Sequence, residues 1–207
     1  MKKIDFDLSN NPFINFHCSR YSMSSRIDVK KAYNYSKQNN YSFFLLSLAC
    51  LIKAANTIPQ FKRRIINGEV IEYDSVDGIT PIMDEENEIF REMRVPPVDD
   101  FSQWHDYVKQ QMNEILSNNN PGFTLAMEER DFDNIINFSC IPWVDFESLT
   151  TCLVNPNAIQ PLISWGKFNE DYKMTVAITV NHIFVNGREL GYFYQNAQKF
   201  FKNPEKL

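Results

Sequence analysis

Apolar positions recur with a helical period in the first part of the chain. The stretch "SFFLLSLACLIKAANTIP", residues 42–59, is apolar on most of a helical circumference, which predicts a buried helix that begins at Ser42 and is stopped by Pro59. A shorter helix is predicted at 28–39, with Asp28 as its N-cap. The first half of the chain therefore contributes at least one helix to the interior.

Two further helices are predicted to be apolar on one side only. The first, "DDFSQWHDYVKQQMNEIL" at 99–116, is followed by the turn signal "SNNNPG". The second, at 188–201, closes the chain, and its inward side consists of five residues. These are Leu190, Phe193, Ala197, Phe200 and Phe201.

Patterns typical of strands occupy most of the remaining chain. Asn67-Gly68 lies between two short runs, which is a strong hairpin signal, and a second pair, "ITPIM" and "EIFREM", flanks the acidic turn "DEEN". Four runs in the last third are predicted as strands: "FDNIINFSCI", "WVDFESLTTCLV", "IQPLISWGKF" and "YKMTVAITVNHIF". The order of elements predicts an α/β (α+β) fold in which helices pack on a mixed sheet.

Composition and charge favour a single globular domain over 1–207. The chain has 43% hydrophobic and 14% aromatic residues, which is typical of a well-packed protein. Its net charge is −5 and its basic residues are scattered, which argues against a nucleic-acid partner. The sequence shows no signal-peptide core and no run of membrane-spanning length, so we expect a cytoplasmic protein without a membrane partner.

Several types of catalytic centre are excluded by the motifs that the sequence lacks. It contains no G-x-S-x-G, no H-E-x-x-H, no G-x-G-x-x-G and no phosphate-binding glycine loop. Four cysteines, Cys18, Cys50, Cys140 and Cys152, lie far apart without a CxxC pair. We interpret them as buried free thiols and expect no metal site.

The three histidines are the remaining candidates for acid–base chemistry. His105, within an amphipathic helix, is interpreted as partly exposed, and His17 lies in an aromatic segment that could line a pocket. His182 ends the most strand-like run of the chain. Position alone leaves two interpretations of His182: a core histidine satisfied by backbone groups, or a general base with one ring nitrogen held and the other facing a substrate.

A collinear set of motifs resembles the chloramphenicol acetyltransferase family. "NFSCIPWVDFESLTT", "PLISWGKF" and "VNHIFVNG" follow one another in the order of the family's Pro-Trp-Val strand, its Met-Gly-Lys-Tyr strand and its His-x-x-x-Asp-Gly signature. Upstream, "PQFKRRIINGEVIEYDSV" and "DDF" also have counterparts, so the resemblance spans nearly the whole chain. It implies a two-layer sandwich of a mixed, largely antiparallel sheet and helices.

The resemblance also implies a mechanism and an assembly. Enzymes of this family are homotrimers with the active site at each subunit interface, and they transfer an acetyl group directly from acetyl-CoA to a small alcohol. His182 would be the general base, and Ser148 matches the serine whose hydroxyl stabilises the oxyanion. Without the motif, Ser148 would be interpreted as an exposed polar residue.

Four more positions match residues around the two substrates in the family. Phe16 and Phe101 match aromatic residues of the acceptor pocket, and Ser164 falls where the family has a pocket threonine. Lys167 matches a residue near the coenzyme, where an ammonium can meet a phosphate. Taken without the resemblance, Phe16 and Phe101 would be interpreted as core residues and Lys167 as a solvated lysine.

One position departs from the family pattern. Asn186 stands where the family has an aspartate that pairs with an N-terminal arginine, and the segment "SNNPFINF" contains no arginine. Because both charges are absent together, no buried charge is left without a partner. Asn186 is therefore expected to support the site through hydrogen bonds.

Two other functions compete with O-acetyl transfer to chloramphenicol or a similar small alcohol. The catalytic cores of 2-oxo acid dehydrogenase acyltransferases resemble this family, so a dihydrolipoamide-like thiol is a second possible acceptor. The missing charge pair also allows a trimeric protein that binds small molecules with little turnover.

Overall fold

Nine strands and four α-helices make up the part of the chain that the computed structural model describes, residues 1–84, 88–117, 133–151 and 155–207. The helices are α1 (Lys30–Gln38), α2 (Phe43–Asn56), α3 (Phe101–Ser117) and α4 (Gly187–Lys202). The strands are β1 (Lys2–Ile4), β2 (Arg20–Asp28), β3 (Arg63–Ile66), β4 (Glu69–Glu72), β5 (Asp77–Asp84), β6 (Ile89–Val95), β7 (Ile135–Ile141), β8 (Leu162–Phe168) and β9 (Lys173–Asn181).

Six strands form the main sheet, in the order β2-β9-β8-β7-β5-β6. The central strands β5, β7 and β8 run parallel, whereas β2, β9 and β6 pair antiparallel with their neighbours. Three short strands form a second sheet in the order β1-β4-β3. The predicted mixed sheet with helices packed on it is thus confirmed.

The core lies between the helices and one face of the main sheet. Helix α2 is buried along most of its length, and four alternate residues of β9 that are buried in the same core are Met174, Val176, Ile178 and Val180. Of the other β9 residues, Thr175, Ala177, Thr179 and Asn181 are also buried but are not part of this cluster. Because β9 is buried on both faces, it holds the residues that follow Asn181 in a fixed position.

The sequence correctly predicts several element boundaries. Ser42 caps α2 by accepting a hydrogen bond from the Leu45 N–H, and β3 and β4 form the hairpin predicted around Asn67-Gly68. Both turn residues have a positive φ, 51° and 79°, as a tight hairpin between twisted strands requires. The predicted pairing of the two strands that follow is confirmed as β5 with β6.

Two predictions about local structure are wrong, and one strand is missed. Val29 rather than Asp28 is the N-cap of α1, because Asp28 belongs to β2, where its side chain accepts a hydrogen bond from the Lys30 N–H. The predicted strand "WVDFESLTTCLV", 143–154, is absent from its described part, residues 143–151, and 152–154 lie outside the described residues. Strand β2 itself is not predicted.

The described cysteines differ in their exposure. Cys50 is buried and Cys140 half-buried, whereas Cys18 is exposed, so the prediction of a buried thiol is wrong for Cys18. The positions of Cys152 and of most residues in the two turn signals "DEEN" and "SNNNPG" lie outside the described residues. None of the described helices is long and apolar enough to cross a bilayer.

Candidate active site

His182 lies immediately after β9, at the first position of a turn that leads into α4. Its backbone N–H donates a hydrogen bond to the Ser19 carbonyl at 2.8 Å, just before β2 begins. The turn is closed by the Phe184 and Val185 N–H groups, which both donate to the Asn181 carbonyl. The imidazole is therefore carried by a backbone that is fixed on both sides.

Two aromatic rings hold the imidazole of His182. The Phe13 ring stacks on it with a centroid distance of 3.8 Å and an interplanar angle of 9°, and the Tyr21 ring contacts it at 4.7 Å. The Tyr21 hydroxyl donates to the Val185 carbonyl at 3.3 Å. Nδ1 of His182 is buried and has no hydrogen-bond partner among the described residues.

Asn11 connects the stacked phenylalanine to the turn that carries His182. Its amide Nδ2 donates to the Ile183 carbonyl at 3.0 Å, and its Oδ1 accepts from the Phe13 N–H at 2.9 Å. The Asn11 side chain thus links the backbone of Phe13 to the backbone of the turn that carries His182. The sequence suggests only a turn here, because asparagine before proline favours one.

Asn181 anchors the turn from the opposite side. It is 1% exposed, its Oδ1 accepts from the Ile183 N–H, and its Nδ2 donates to the carbonyls of Asn157 and Ala158. A buried amide with all of these bonds satisfied stabilises a single arrangement of the turn.

Asn186 is the N-cap of α4 and is exposed. Its backbone N–H donates to Oε2 of Glu189 at 2.9 Å, so the carboxylate closes the first turn of the helix. Burial raises the pKa of Glu189, but the Asn186 N–H and the Arg188 guanidinium outweigh it and lower the pKa below its usual range. A direct role of the Asn186 side chain towards His182 stays a prediction.

Ser148 lies in the irregular segment that follows β7. Two contacts join this segment to the sheet. Oε1 of Glu147 lies 3.8 Å from Nη2 of Arg26 on β2, and Oγ1 of Thr151 lies 3.5 Å from Oγ1 of Thr179 on β9. The segment therefore crosses the face of the sheet that is turned away from the helices, over β9 and β2. Ser148 is exposed there.

Gly166 allows this segment to lie close to the sheet. A Cβ at this position would meet the Val144 carbonyl oxygen at 2.6 Å and the Phe146 ring at 2.8 Å. Next to it, the Lys167 N–H donates to the same Val144 carbonyl at 2.9 Å, while its side chain is exposed. Because Gly166 has no side chain, residues 144–146 can pass close to β8 just before Ser148.

Ser164 lies on the same face of the sheet. It pairs with Ser139 of β7 and Ala177 of β9, is 1% exposed, and its hydroxyl has no hydrogen-bond partner among the described residues. A buried hydroxyl without a partner costs stability unless something else bonds to it. Ser164 is therefore suited to meet a polar group of a ligand.

An apolar groove of about 680 Å³ opens where β5, β6 and β7 meet α2 and α3. Its described lining is mainly apolar and aromatic, with one charged residue, Glu92. A volume of this order suits a small organic ligand. The principal wall residues are Phe44, Met83, Phe90, Met112, Cys140 and Trp143.

The two phenylalanines predicted to line the acceptor pocket have different surroundings. Phe16 is 52% exposed and contacts Phe13 edge-to-face at 5.3 Å, so it belongs to the aromatic group around His182. Phe101 is 4% exposed and packs in the core against Tyr41. The phenylalanines in the described groove wall are instead Phe44 and Phe90, and the sequence singles out neither as a pocket residue; Phe90 is 48% exposed.

The other two histidines take no part in this arrangement. His105 is 2% exposed and its Nε2 accepts a hydrogen bond from the Ser42 N–H, so the interpretation as partly exposed is wrong. His17 is exposed. Within the described ranges, no group of three or more histidine, cysteine, aspartate and glutamate side chains is arranged to hold a metal ion.

Solved acyltransferases share this arrangement of sheet and helices. A structure described as chloramphenicol acetyltransferase matches with a TM-score of 0.86 and 29% identity, over 97% of this chain and 100% of that one. A dihydrolipoamide acetyltransferase from Azotobacter vinelandii matches with a TM-score of 0.66 and 10% identity, over 91% and 83% of the two chains, which is a likeness of fold. The fold and the histidine at the end of β9 thus define a chloramphenicol acetyltransferase-like acyltransferase.

The chain belongs to the chloramphenicol acetyltransferase family, whose family model matches residues 6–198. The chloramphenicol acetyltransferase of Escherichia coli is 25% identical over 187 residues, which cover 87% of this chain and 82% of that protein. That of Bacillus pumilus is 24% identical over 182 residues, covering 86% and 80%. The family uses acetyl-CoA as co-substrate and a small molecule as acyl acceptor.

Proposed function

We propose that this protein is an O-acetyltransferase that moves the acetyl group of acetyl-CoA directly to a hydroxyl of chloramphenicol or a similar small alcohol. The observation that carries the proposal is the imidazole of His182, which two aromatic rings hold with Nδ1 buried. An imidazole presented in this way can take a proton at Nε2 without losing its orientation.

The proposed reaction needs no acyl-enzyme. Nε2 of His182 removes the proton of the acceptor hydroxyl, and the oxygen attacks the thioester carbonyl carbon. The resulting oxyanion accepts a hydrogen bond from the Ser148 hydroxyl. When the carbon–sulfur bond breaks, the thiolate of coenzyme A takes the proton back from the imidazolium, so His182 returns to its neutral form.

Sheet topology supports a site shared between subunits. Strand β9 runs antiparallel to β8 and β7, so His182 and the far end of β7 lie at opposite ends of the sheet. Ser139, the groove residue of β7 nearest to His182, is level with Ala177, about 16 Å along the strand from His182 at about 3.3 Å per residue. The histidine of one subunit would therefore serve the groove of its neighbour in a homotrimer.

Mixing two inactive variants tests both the function and the sharing of sites. His182→Ala and Ser148→Ala chains, each inactive alone, are unfolded and refolded together in equal amounts. If His182 and Ser148 act from different subunits, about a quarter of the sites regain both groups, and thiol release from acetyl-CoA recovers to about a quarter of wild type. Wild-type protein without thiol release for chloramphenicol or a panel of small alcohols refutes the function, and a mixture that stays inactive refutes the shared site.

Asn186 is compatible with acyl transfer, and it also favours a dihydrolipoamide-like thiol as an alternative acceptor. The Azotobacter vinelandii acetyltransferase was studied for the roles of a serine, a histidine and an asparagine in its catalytic mechanism, and the asparagine follows the histidine by four positions. His182 and Asn186 have the same spacing. Dihydrolipoamide therefore belongs in the acceptor panel, and a higher kcat/KM with it than with any alcohol would favour a thiol acceptor. Tight binding of chloramphenicol without turnover would favour a small-molecule-binding protein.

A further inference from the structure

Glu92 is the one carboxylate in the described wall of the apolar groove, on strand β6. No hydrogen bond or ion pair joins its side chain to another described residue, and burial raises its pKa. A carboxylate that is partly removed from water and has no compensating partner raises the free energy of the empty groove. A ligand that supplies the missing partner would recover this free energy on binding.

The basic residues next to Glu92 along β6 are engaged elsewhere. Arg91 pairs with Asp84, with 3.1 Å between Nη2 and Oδ2, and Arg94 pairs with Asp77, with 2.6 Å between Nε and Oδ2. The compensating group therefore comes from outside these pairs. The phosphates of coenzyme A cannot supply it, since they carry the same sign of charge as the Glu92 carboxylate, and coenzyme A has no cationic group that would pair with it.

We infer that Glu92 binds a protonated amine of the acceptor, so that the groove selects amino alcohols over neutral alcohols. An ammonium gives Glu92 both opposite charge and hydrogen-bond donors, whereas a neutral hydroxyl or amide gives one weaker bond. The remaining wall, which includes Phe90, Met83 and Trp143, is suited to an aromatic or aliphatic body. This inference rests on the proposed function, and it names the class of alcohol that the site acetylates.

A matched pair of acceptors tests the inference. The amine 2-amino-1-(4-nitrophenyl)propane-1,3-diol and its N-acetyl amide share the ring and the hydroxyls and differ in the positive charge. Wild-type protein is expected to show a higher kcat/KM for the amine. Glu92→Gln is expected to lower kcat/KM for the amine by about tenfold or more, in line with the loss of a charged hydrogen bond, and to change the value for the amide less than about threefold.

Glu114→Gln is the control variant, because it removes an exposed carboxylate from α3 without altering the groove wall. It should leave the ratio of the two acceptors unchanged. Equal losses for amine and amide in Glu92→Gln, or a wild-type preference for the amide, would overturn the inference.

Calorimetric binding of the same two compounds separates this inference from the proposed function. If wild type turns over neither acceptor but binds the amine more tightly than the amide, and Glu92→Gln abolishes the difference, the function is wrong and only the preference of the groove for an amine stands. If the amine binds no more tightly than the amide, or neither binds, the inference is overturned even in an active enzyme.

Discussion

Replacing Asn11 by alanine should lower the rate of acetyl transfer although Asn11 does not line the groove and its hydrogen bonds go to Ile183 and Phe13. The substitution removes two hydrogen bonds, one to the Ile183 carbonyl and one from the Phe13 N–H. Each such bond contributes about 0.5–1.5 kcal/mol, so about 1–3 kcal/mol of local ordering is lost. If this ordering orients the imidazole, kcat falls by up to about 5- to 150-fold.

Steady-state kinetics by thiol release measure the effect, with kcat and KM determined separately for both substrates. Because Asn11 lies outside the groove lining, the loss is expected in kcat while KM for the acceptor stays within about twofold. Asn11→Asp keeps the acceptor for the Phe13 N–H but places a carboxylate oxygen against the Ile183 carbonyl, where two acceptors repel each other, so it should be at least as slow as Asn11→Ala.

Asn10 provides a matched control one residue away. Its side chain is exposed and bonds only to Asp7, so Asn10→Ala should retain wild-type kcat. The reasoning is refuted if Asn11→Ala unfolds at a lower temperature than wild type yet keeps kcat within about twofold, or if its loss lies entirely in KM. Either result would make Asn11 a residue of stability alone.

Three further predictions concern the serine, the helix cap and the thiols. Ser148→Ala should lower kcat by about 100- to 1000-fold with little change in KM, whereas Thr150→Ala, an exposed hydroxyl nearby, should not; equal effects would refute the oxyanion role. The pKa of Glu189 is lower in the folded chain than its unfolded value of about 4.3, so its carboxylate stabilises the fold above that pH and the stabilisation is lost as pH falls through the folded pKa. Thermal unfolding between about pH 3 and 6 should therefore be less pH-dependent in Glu189→Gln than in wild type, and parallel curves would contradict this. Iodoacetamide at about pH 8 should modify exposed Cys18 but not Cys140, because burial raises the pKa of the Cys140 thiol to about 12; peptide mass spectrometry showing equal labelling would contradict it.

The sequence predicts the elements of this fold better than its connections. The helix at Ser42 and the hairpin at Asn67-Gly68 depend on contacts within a few residues, which local patterns express directly. The segment from 143 to 151 alternates like a strand and crosses one face of the sheet, yet it forms no ladder with any strand. A period of two reports a half-buried surface and not the pairing partner.

The candidate site shows the same division between local and distant contacts. His182 and Ser148 are recognisable from motifs, since each stands in a short characteristic stretch. The roles of Asn11 and Phe13 depend on contacts that join the start of the chain to residues 182 and 183, and no spacing in the sequence reports them. The motif identifies Phe101 as a pocket residue, but the side of α3 on which it lies faces the core.

The residues between β1 and β2, from 5 to 19, form a loop that is anchored at both ends. At one end β1 pairs with β4, and at the other β2 pairs with β9 over the full length of both strands. Surface loops usually tolerate inserted or deleted residues. In this loop a change of length by a single residue would displace Phe13 relative to His182, so variants of altered length should fold but acetylate slowly. If the proposed function is right, the length of the chain between two strands therefore contributes to catalysis.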